Sequence, residues 1–233
     1  LSLHDALPIF PSREPWTVAR GASWYRCPRC GHVRVEPGAE PSPEAAEARY
    51  RLHRNDPADS GYRRFLGTFI DRAVAPFAAP PGRVLDFGSG PTPALARLLR
   101  ERGYRAEAWD PLFAPDRRSL AGPFALIAVH EVLEHVPYPY RLLATLARKL
   151  EGGGAIAVRT RFPPERPEDF GRWWYKEDPT HVGFFGPPAF EALARRLGAR
   201  LDLLEPPDLA VLRFPGAGRA AGDDRGNRPR RSL

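Results

Sequence analysis

The apolar residues Tyr62, Phe65, Leu66, Phe69, Ile70, Ala73, Val74 and Phe77 recur at intervals of three and four. That spacing puts them on one face of an α-helix, which must then be buried. Asp59-Ser60 supplies a start and Pro80-Pro81-Gly82 a stop. A shorter helix over 43–53 precedes it, capped by Ser42 with Pro43 at the first helical position. Downstream the pattern alternates. "RVLDF" (83–87) predicts a strand. The helix after it has Thr92 as N-cap, Pro93 at its first position, Leu95, Leu98 and Leu99 on one face, and Gly103 just past its end. "YRAEAW" (104–109) predicts a second strand ending at Asp110, and "FALIAV" (124–129) a third that is fully buried. "RLLATLARKL" (141–150) reads as a helix with Leu142, Leu143, Leu146 and Leu150 inward. Gly152-Gly153-Gly154 then turns into the strand "AIAVRT" (155–160). After a long aromatic loop, Pro187-Pro188 opens a helix bearing Phe190, Leu193 and Leu197, closed by Gly198. "RLDLLEPPDLAVLRF" (200–214) reads as a terminal hairpin around Pro206-Pro207-Asp208.

Strands alternating with helices imply an α/β fold. The expected form is a Rossmann-like, doubly wound, mostly parallel sheet with an antiparallel last strand, plus an N-terminal knuckle and helices. The division read from the chain is 10–40 for a partial zinc-ribbon-like segment, 41–80 for helices covering the active site and 81–214 for the α/β domain.

Composition changes this picture in three places. The net charge of +7 comes from arginine, since Lys149 and Lys176 are the only lysines. Alanine, glycine and proline are also abundant, so the basic balance reflects coding bias and nucleic acid is not an expected partner. The tail over 215–233 is rich in Gly, Arg and Asp and is expected to be disordered. No apolar run approaches the ~20 residues of a membrane span. With two cysteines, the chain is expected to be cytoplasmic. The chain has no methionine, and "LSLHDALPI" (1–9) matches a translated sequencing adapter. That stretch is set aside as an artefact fused to a truncated N-terminus, so His4 and Asp5 are given no role.

Cys27-Pro-Arg-Cys30-Gly31 has the shape of a zinc knuckle, in which a tight turn brings two thiolates to one metal. Structural zinc needs four ligands. Cys27 and Cys30 are candidate metal ligands of the intact parent protein, and a pair of free thiols in this chain.

The stretch "RVLDFGSGPTPALARLL" (83–99) carries the chemistry. A P-loop needs Gly-Lys, which the chain lacks. A dinucleotide turn needs G-x-G-x-x-G/A; Gly88 and Gly90 fit, but the third position is Pro93, which removes a donor from the helix start. What remains is Asp86 ending one strand, the two glycines, and Asp110 ending the next strand at the spacing of a carboxylate that holds ribose hydroxyls. The ligand therefore carries a ribose, no phosphate, and a positive or zwitterionic end facing Asp86.

This stretch resembles motif I of class I S-adenosylmethionine-dependent methyltransferases. "HEVLEHV" (130–136) resembles the E-x-x-E-H element of many small-molecule members, such as ubiquinone-type O-methyltransferases. "YKEDPTHVGFF" (175–185) and "YRLHRND" (50–56) with "GYRRFL" (61–66) look like a subgroup with an N-terminal C-x-x-C module. The likeness runs from about Cys27 to Phe214. The resemblance implies S-adenosyl-L-methionine as cofactor, with Asp86, Gly88, Gly90 and Asp110 binding it and His130 or Glu131 lining its methionine side. It implies a small-molecule acceptor, with oxygen the expected atom. Residues 111–123 are too short for a helix plus strand, so strand three of the family's sheet is expected to be missing or vestigial.

His181 is the candidate base, alternatively a buried histidine bonded to Asp178. His135, with Glu134, reads equally as catalytic or as a packing device. The aromatics from Phe170 to Tyr175 read as a lid with a packed underside, and Tyr50, His53, Asn55 and Asp56 as closing the pocket. Two other classes remain open. One is a zinc-ribbon module binding nucleic acid or protein on a non-catalytic scaffold, through Trp24, Tyr25, Arg26, Arg29 and Arg34. The other is a nucleotide-sugar or NAD enzyme, against which Pro93 counts.

Overall fold

The structure, a computed structural model, describes residues 14–52 and 55–216. The adapter-like stretch, His53 and all but the first two residues of the 215–233 tail lie outside the described residues. Strands β1 (Thr17–Ala19), β2 (Ala22–Arg26) and β3 (Val33–Val35) come first, followed by helices α1 (Pro43–Tyr50) and α2 (Ser60–Phe69). The α/β part holds β4 (Arg83–Phe87), α3 (Ala94–Glu101), β5 (Arg105–Trp109), β6 (Phe124–His130), α4 (Pro139–Ala147) and β7 (Leu150–Arg159). Helix α5 (Pro167–Arg172), β8 (Gly183–Phe184), α6 (Pro187–Leu197), β9 (Arg200–Glu205) and β10 (Leu209–Arg213) complete the chain.

The main sheet has six strands in the order β5-β4-β6-β7-β10-β9. The pairs among β5, β4, β6 and β7 are parallel, and β10 runs antiparallel to both β7 and β9. The doubly wound sheet with an antiparallel last strand is therefore as expected. The short segment after β5 holds one 3-10 turn, Arg117–Leu120, and no strand, so strand three is missing.

Alternation along β4 sets the two layers, since successive side chains of a strand point to opposite faces. Val84 packs with Phe69, Ile70, Leu95 and Leu99 on one side. Leu85 packs with Leu143, Leu146, Phe190 and Leu193 on the other. The long apolar stripe of α2 continues through a π-helical turn, Ile70–Val74, as its periodicity required. No described helix is long and apolar enough to cross a membrane.

Several boundaries differ from the sequence expectation. Helix α1 ends at Tyr50. Thr92 does not cap α3: Pro93 sits at φ −75°, ψ 63°, outside the helical region, and offers no side-chain bond. The cap comes from the sheet, where Asp86 Oδ2 accepts the N–H of Ala96 at 3.1 Å. Leu150 is the first residue of β7, where it pairs with Phe124. The three glycines of 152–154 lie inside β7. Pairing with Phe124 fixes Leu150 and overrides its helical pattern, whereas the glycines fill the register shift before Ala155, with Gly153 at φ +84°. The aromatic loop holds α5, a 3-10 turn over Trp174–Glu177, and β8.

Strand β8 pairs with β3, making a second sheet in the order β1-β2-β3-β8. Its core joins Trp24, Val33 and Val35 to Phe170, Tyr175, Val182 and Phe184. The N-terminal hairpins and the aromatic segment thus share one core beside the mouth of the main sheet.

Candidate functional site

The C-terminal ends of β4, β5 and β6 open into a cavity of about 740 Å³. From β4 the chain winds to β5 on one side and to β6 on the other, so the cavity sits where the strand order reverses, the usual ligand position in open α/β sheets.

The floor is the turn after β4. Gly88 has φ +76° and Gly90 φ +67°. A Cβ on Gly88 would lie 2.6 Å from Val132 Cγ2, whereas one on Gly90 would meet nothing within 4 Å. Gly88 is demanded by packing; Gly90 presents bare backbone to the cavity. Asp110 Oδ2 accepts the N–H of Gly90 at 2.9 Å. Its Oδ1 accepts Leu112 N at 2.9 Å and Phe113 N at 3.1 Å. Asp110 is therefore a turn acid and also faces the double-glycine bend. Asp86 is 3% exposed, and burial pushes its carboxyl up to about 7. Ser89 Oγ and Trp109 Nε1 are buried without a protein partner, and both residues line the cavity. Buried polar groups left so are rare and point to a bound polar molecule or water.

His130 and Glu131 stand at the end of β6. The His130 ring lies edge-on between Phe65 and Phe69, at 5.1 and 4.9 Å, and burial pushes its pKa down to about 3. Glu131 holds φ +55°, a left-handed conformation that costs a non-glycine residue about 1–3 kcal/mol and clusters at functional sites. Tyr175 Oη sits 3.0 Å from Glu131 Oε2 and 2.5 Å from Glu134 Oε1. A phenol has one proton to give, so the second contact needs a proton on a carboxyl. Burial raises both glutamates, which supplies it.

Beyond them the cavity wall is imidazole. The rings of His135 and His181 are 4.7 Å apart. His135 Nδ1 lies 3.0 Å from Thr180 O, and His181 Nδ1 2.6 Å from Tyr175 O. A carbonyl only accepts, so each Nδ1 carries the proton and each Nε2 is the acceptor. The imidazole of His181 is thus bonded to Tyr175 and not to the Asp178 side chain. Burial pushes His181 down to about 3, so its imidazole is neutral at pH 7. Asp178 instead accepts Arg49 Nε at 2.9 Å and Thr180 Oγ1 at 2.6 Å. The aromatic segment has a packed underside, with Phe170 at 0% and Tyr175 at 3% exposure, while Trp174 is 65% exposed at the mouth. Tyr50 and Asn55 line the cavity from α1 and the segment after it.

Cys27 and Cys30 lie outside this cavity. Their turn is closed by Gly31 N to Cys27 O at 2.8 Å, with Gly31 at φ +68°. Both thiols are buried and free, and burial pushes Cys30 up to about 11. His32 packs against Phe185 at 4.5 Å. Among the described residues no third ligand joins the pair, and two thiols do not fill a tetrahedral zinc shell. Of the aromatic and basic residues around the knuckle, Trp24 is 0% exposed and Arg34 pairs with Glu40 at 2.8 Å, Tyr25 and Arg26 are half-buried, and Arg29 is exposed.

Three contributors escaped the sequence reading. The indole N–H of Trp109 and the phenol of Tyr175 were visible only as aromatics. Arg20, which bonds the carbonyls of Lys176 and Asp178, gave no signal because 156 residues separate it from Lys176.

Residues 58–204, more than half of the chain, match the family model described as a methyltransferase domain. The chain belongs to this methyltransferase family. No curated protein sequence matches it. Among solved structures the methyltransferase is similar to the Burkholderia thailandensis 1,6-didemethyltoxoflavin-N1-methyltransferase, at 16% identity and TM-score 0.53, over 87% of this chain and 99% of that one. It is also similar to the pyocyanin biosynthetic protein PhzM, at 12% identity and TM-score 0.50, over 71% of this chain and 60% of that one. The chain spans 56% of the length of CalO1, a methyltransferase of calicheamicin biosynthesis, at 18% identity and TM-score 0.48 over 66% of this chain. At these identities the likeness is one of fold.

Proposed function

We propose that this methyltransferase moves the methyl group of S-adenosylmethionine to an oxygen of a small-molecule acceptor. The observation that carries the reading is the bond from Gly90 N to Asp110 Oδ2 at 2.9 Å beside open space at Gly90. A carboxylate and a bare backbone adjoin there, which supports a ribose resting on them. The unpartnered Ser89 Oγ and Trp109 Nε1 offer further polar contacts for the adenosyl part. The Burkholderia thailandensis enzyme of the same fold was solved with S-adenosylhomocysteine and its substrate bound, which supports the same use of this cavity.

The cofactor supplies an electrophilic methyl on a sulfonium, a good leaving group. The chain's task is then to bind, to align and to exclude water. Asp110 takes the ribose hydroxyls through charge-assisted bonds. Asp86 faces the amino group while capping α3. Gly90 allows the close approach, Gly88 lets the turn pack against Val132, and His130 and Glu131 line the methionine side. The acceptor lies against Tyr50, Trp174 and Tyr175, with its hydroxyl toward His135 and His181. Titrating the purified chain with S-adenosylhomocysteine by calorimetry tests this. One-to-one binding is expected, and no heat at high micromolar concentration overturns it.

A further inference from the structure

Glu134, His135 and His181 each offer one ligand atom, and the three atoms lie within 4.8 Å of one another. We propose that these three side chains hold a divalent metal ion at the acceptor end of the cavity. The argument starts from the tautomers. Thr180 O and Tyr175 O fix the proton of each imidazole on Nδ1, so both rings are oriented by backbone carbonyls with Nε2 as the ligating atom. Metal-bound histidines are held in the same manner. The carboxylate is the independent observation: Glu134 is 0% exposed, and its Oε1 faces His135 Nε2 at 3.9 Å. With the ring proton on Nδ1, two buried acceptors face each other there, and a cation between them removes that cost. Tyr175 Oη bonds the same oxygen, Oε1, at 2.5 Å and orients the group. Glu134 is also anchored through its backbone, Val182 N donating to Glu134 O at 2.8 Å.

The cavity around this trio is acidic. Asp86, Asp110, Glu131 and Glu134 line it, whereas Asp178 is tied to Arg49. Imidazole with carboxylate suits zinc, iron, manganese, nickel or cobalt, and three protein ligands leave positions open to the cavity. Resting on the acceptor reading above, the ion would act as a Lewis acid: the acceptor hydroxyl would bind it, lose its proton to water and, as the oxyanion, bond the methyl carbon while the carbon–sulfur bond breaks and S-adenosylhomocysteine leaves.

The test uses Mn²⁺ on the whole chain labelled with ¹⁵N-histidine. Electron paramagnetic resonance counts bound Mn²⁺, and NMR reads which ring nitrogens broaden. We expect one Mn²⁺ per chain, broadening of His135 and His181 ahead of His32 and His130, and at least tenfold weaker binding in Glu134→Gln. The wild-type spectra carry the test even if that variant does not fold. Binding that leaves the two rings sharp overturns the site, as does absence of bound Mn²⁺ in a chain that still binds S-adenosylhomocysteine. Selective broadening in a chain that binds no S-adenosylhomocysteine supports the metal site and overturns the proposed function instead.

Discussion

Asp110 Oδ2 lies 2.9 Å from the backbone nitrogen of Gly90, so the last residue after one strand grips the turn after its neighbour. That contact ties the cavity-lining carboxylate to the fold. Asp110→Asn keeps an oxygen for one bond and loses the charge. The expected result is a 10–100-fold weaker S-adenosylhomocysteine titration, in line with about 1.5–3 kcal/mol for a hydrogen bond to a charged group. A wild-type titration from a folded variant removes Asp110 from the site.

The two glycines separate stability from binding. Gly88→Ala collides with Val132 at φ +76° and should lower stability by about 1–3 kcal/mol, partly recovered by Val132→Ala. Gly90→Ala, with open space around its Cβ, should cost about 1–2 kcal/mol for its φ +67° backbone but obstruct the cavity. Urea melts and calorimetry on both variants check this. Equal loss of cofactor binding at equal stability would contradict the split.

Asp86 gives a pH signature of opposite sign in folding and binding. Its carboxyl is raised from 3.8 to about 7 by burial, so the native state binds the extra proton between those values. Its contribution to stability is full below the lower value and is lost as pH rises through the upper one. Asp86→Asn should therefore be relatively more stable than wild type above pH 7, by an amount on the order of a few kcal/mol. If the carboxylate faces the cofactor's ammonium, wild-type affinity should instead rise from pH 6 to 8. A flat wild-type profile would detach Asp86 from the ligand.

Arg20, in the β1–β2 turn at φ 53°, bonds the carbonyls of Lys176 and Asp178. It braces the segment bearing Tyr175 and His181 from the second sheet. Arg20→Ala should raise the acceptor KM several-fold and leave the S-adenosylhomocysteine affinity within twofold. Loss of cofactor binding would show that the brace acts on the whole cavity.

The Cys27–Cys30 pair offers a test of burial. With Cys30 pushed up to about 11, little thiolate is present at pH 7.5. Alkylation by iodoacetamide should be at least tenfold slower in the folded chain than in urea. Equal rates would show the turn to be open.

The sequence by itself determined the layers. The period of three and four from Tyr62 to Phe77 fixed α2 and its buried face. The apolar runs at 83–87 and 124–129 fixed central strands, and the short 111–123 segment announced the missing one. It also determined the floor of the site, because Asp86, Gly88, Gly90 and Asp110 lie within two adjacent strand-turn units. Local chemistry is enough for such short-range features. Only the tertiary structure decided what faces that floor. It turned Asp86 into the cap of α3 and made Leu150 the start of a strand. It ran β8 beside β3, so that the knuckle and the aromatic segment share one core. It brought Glu134, His135 and His181 together across 45 residues of chain between His135 and Thr180. It also buried His181, and burial pushes an imidazole down because its pKa depends on how much water and charge surround it, which no spacing along a chain encodes.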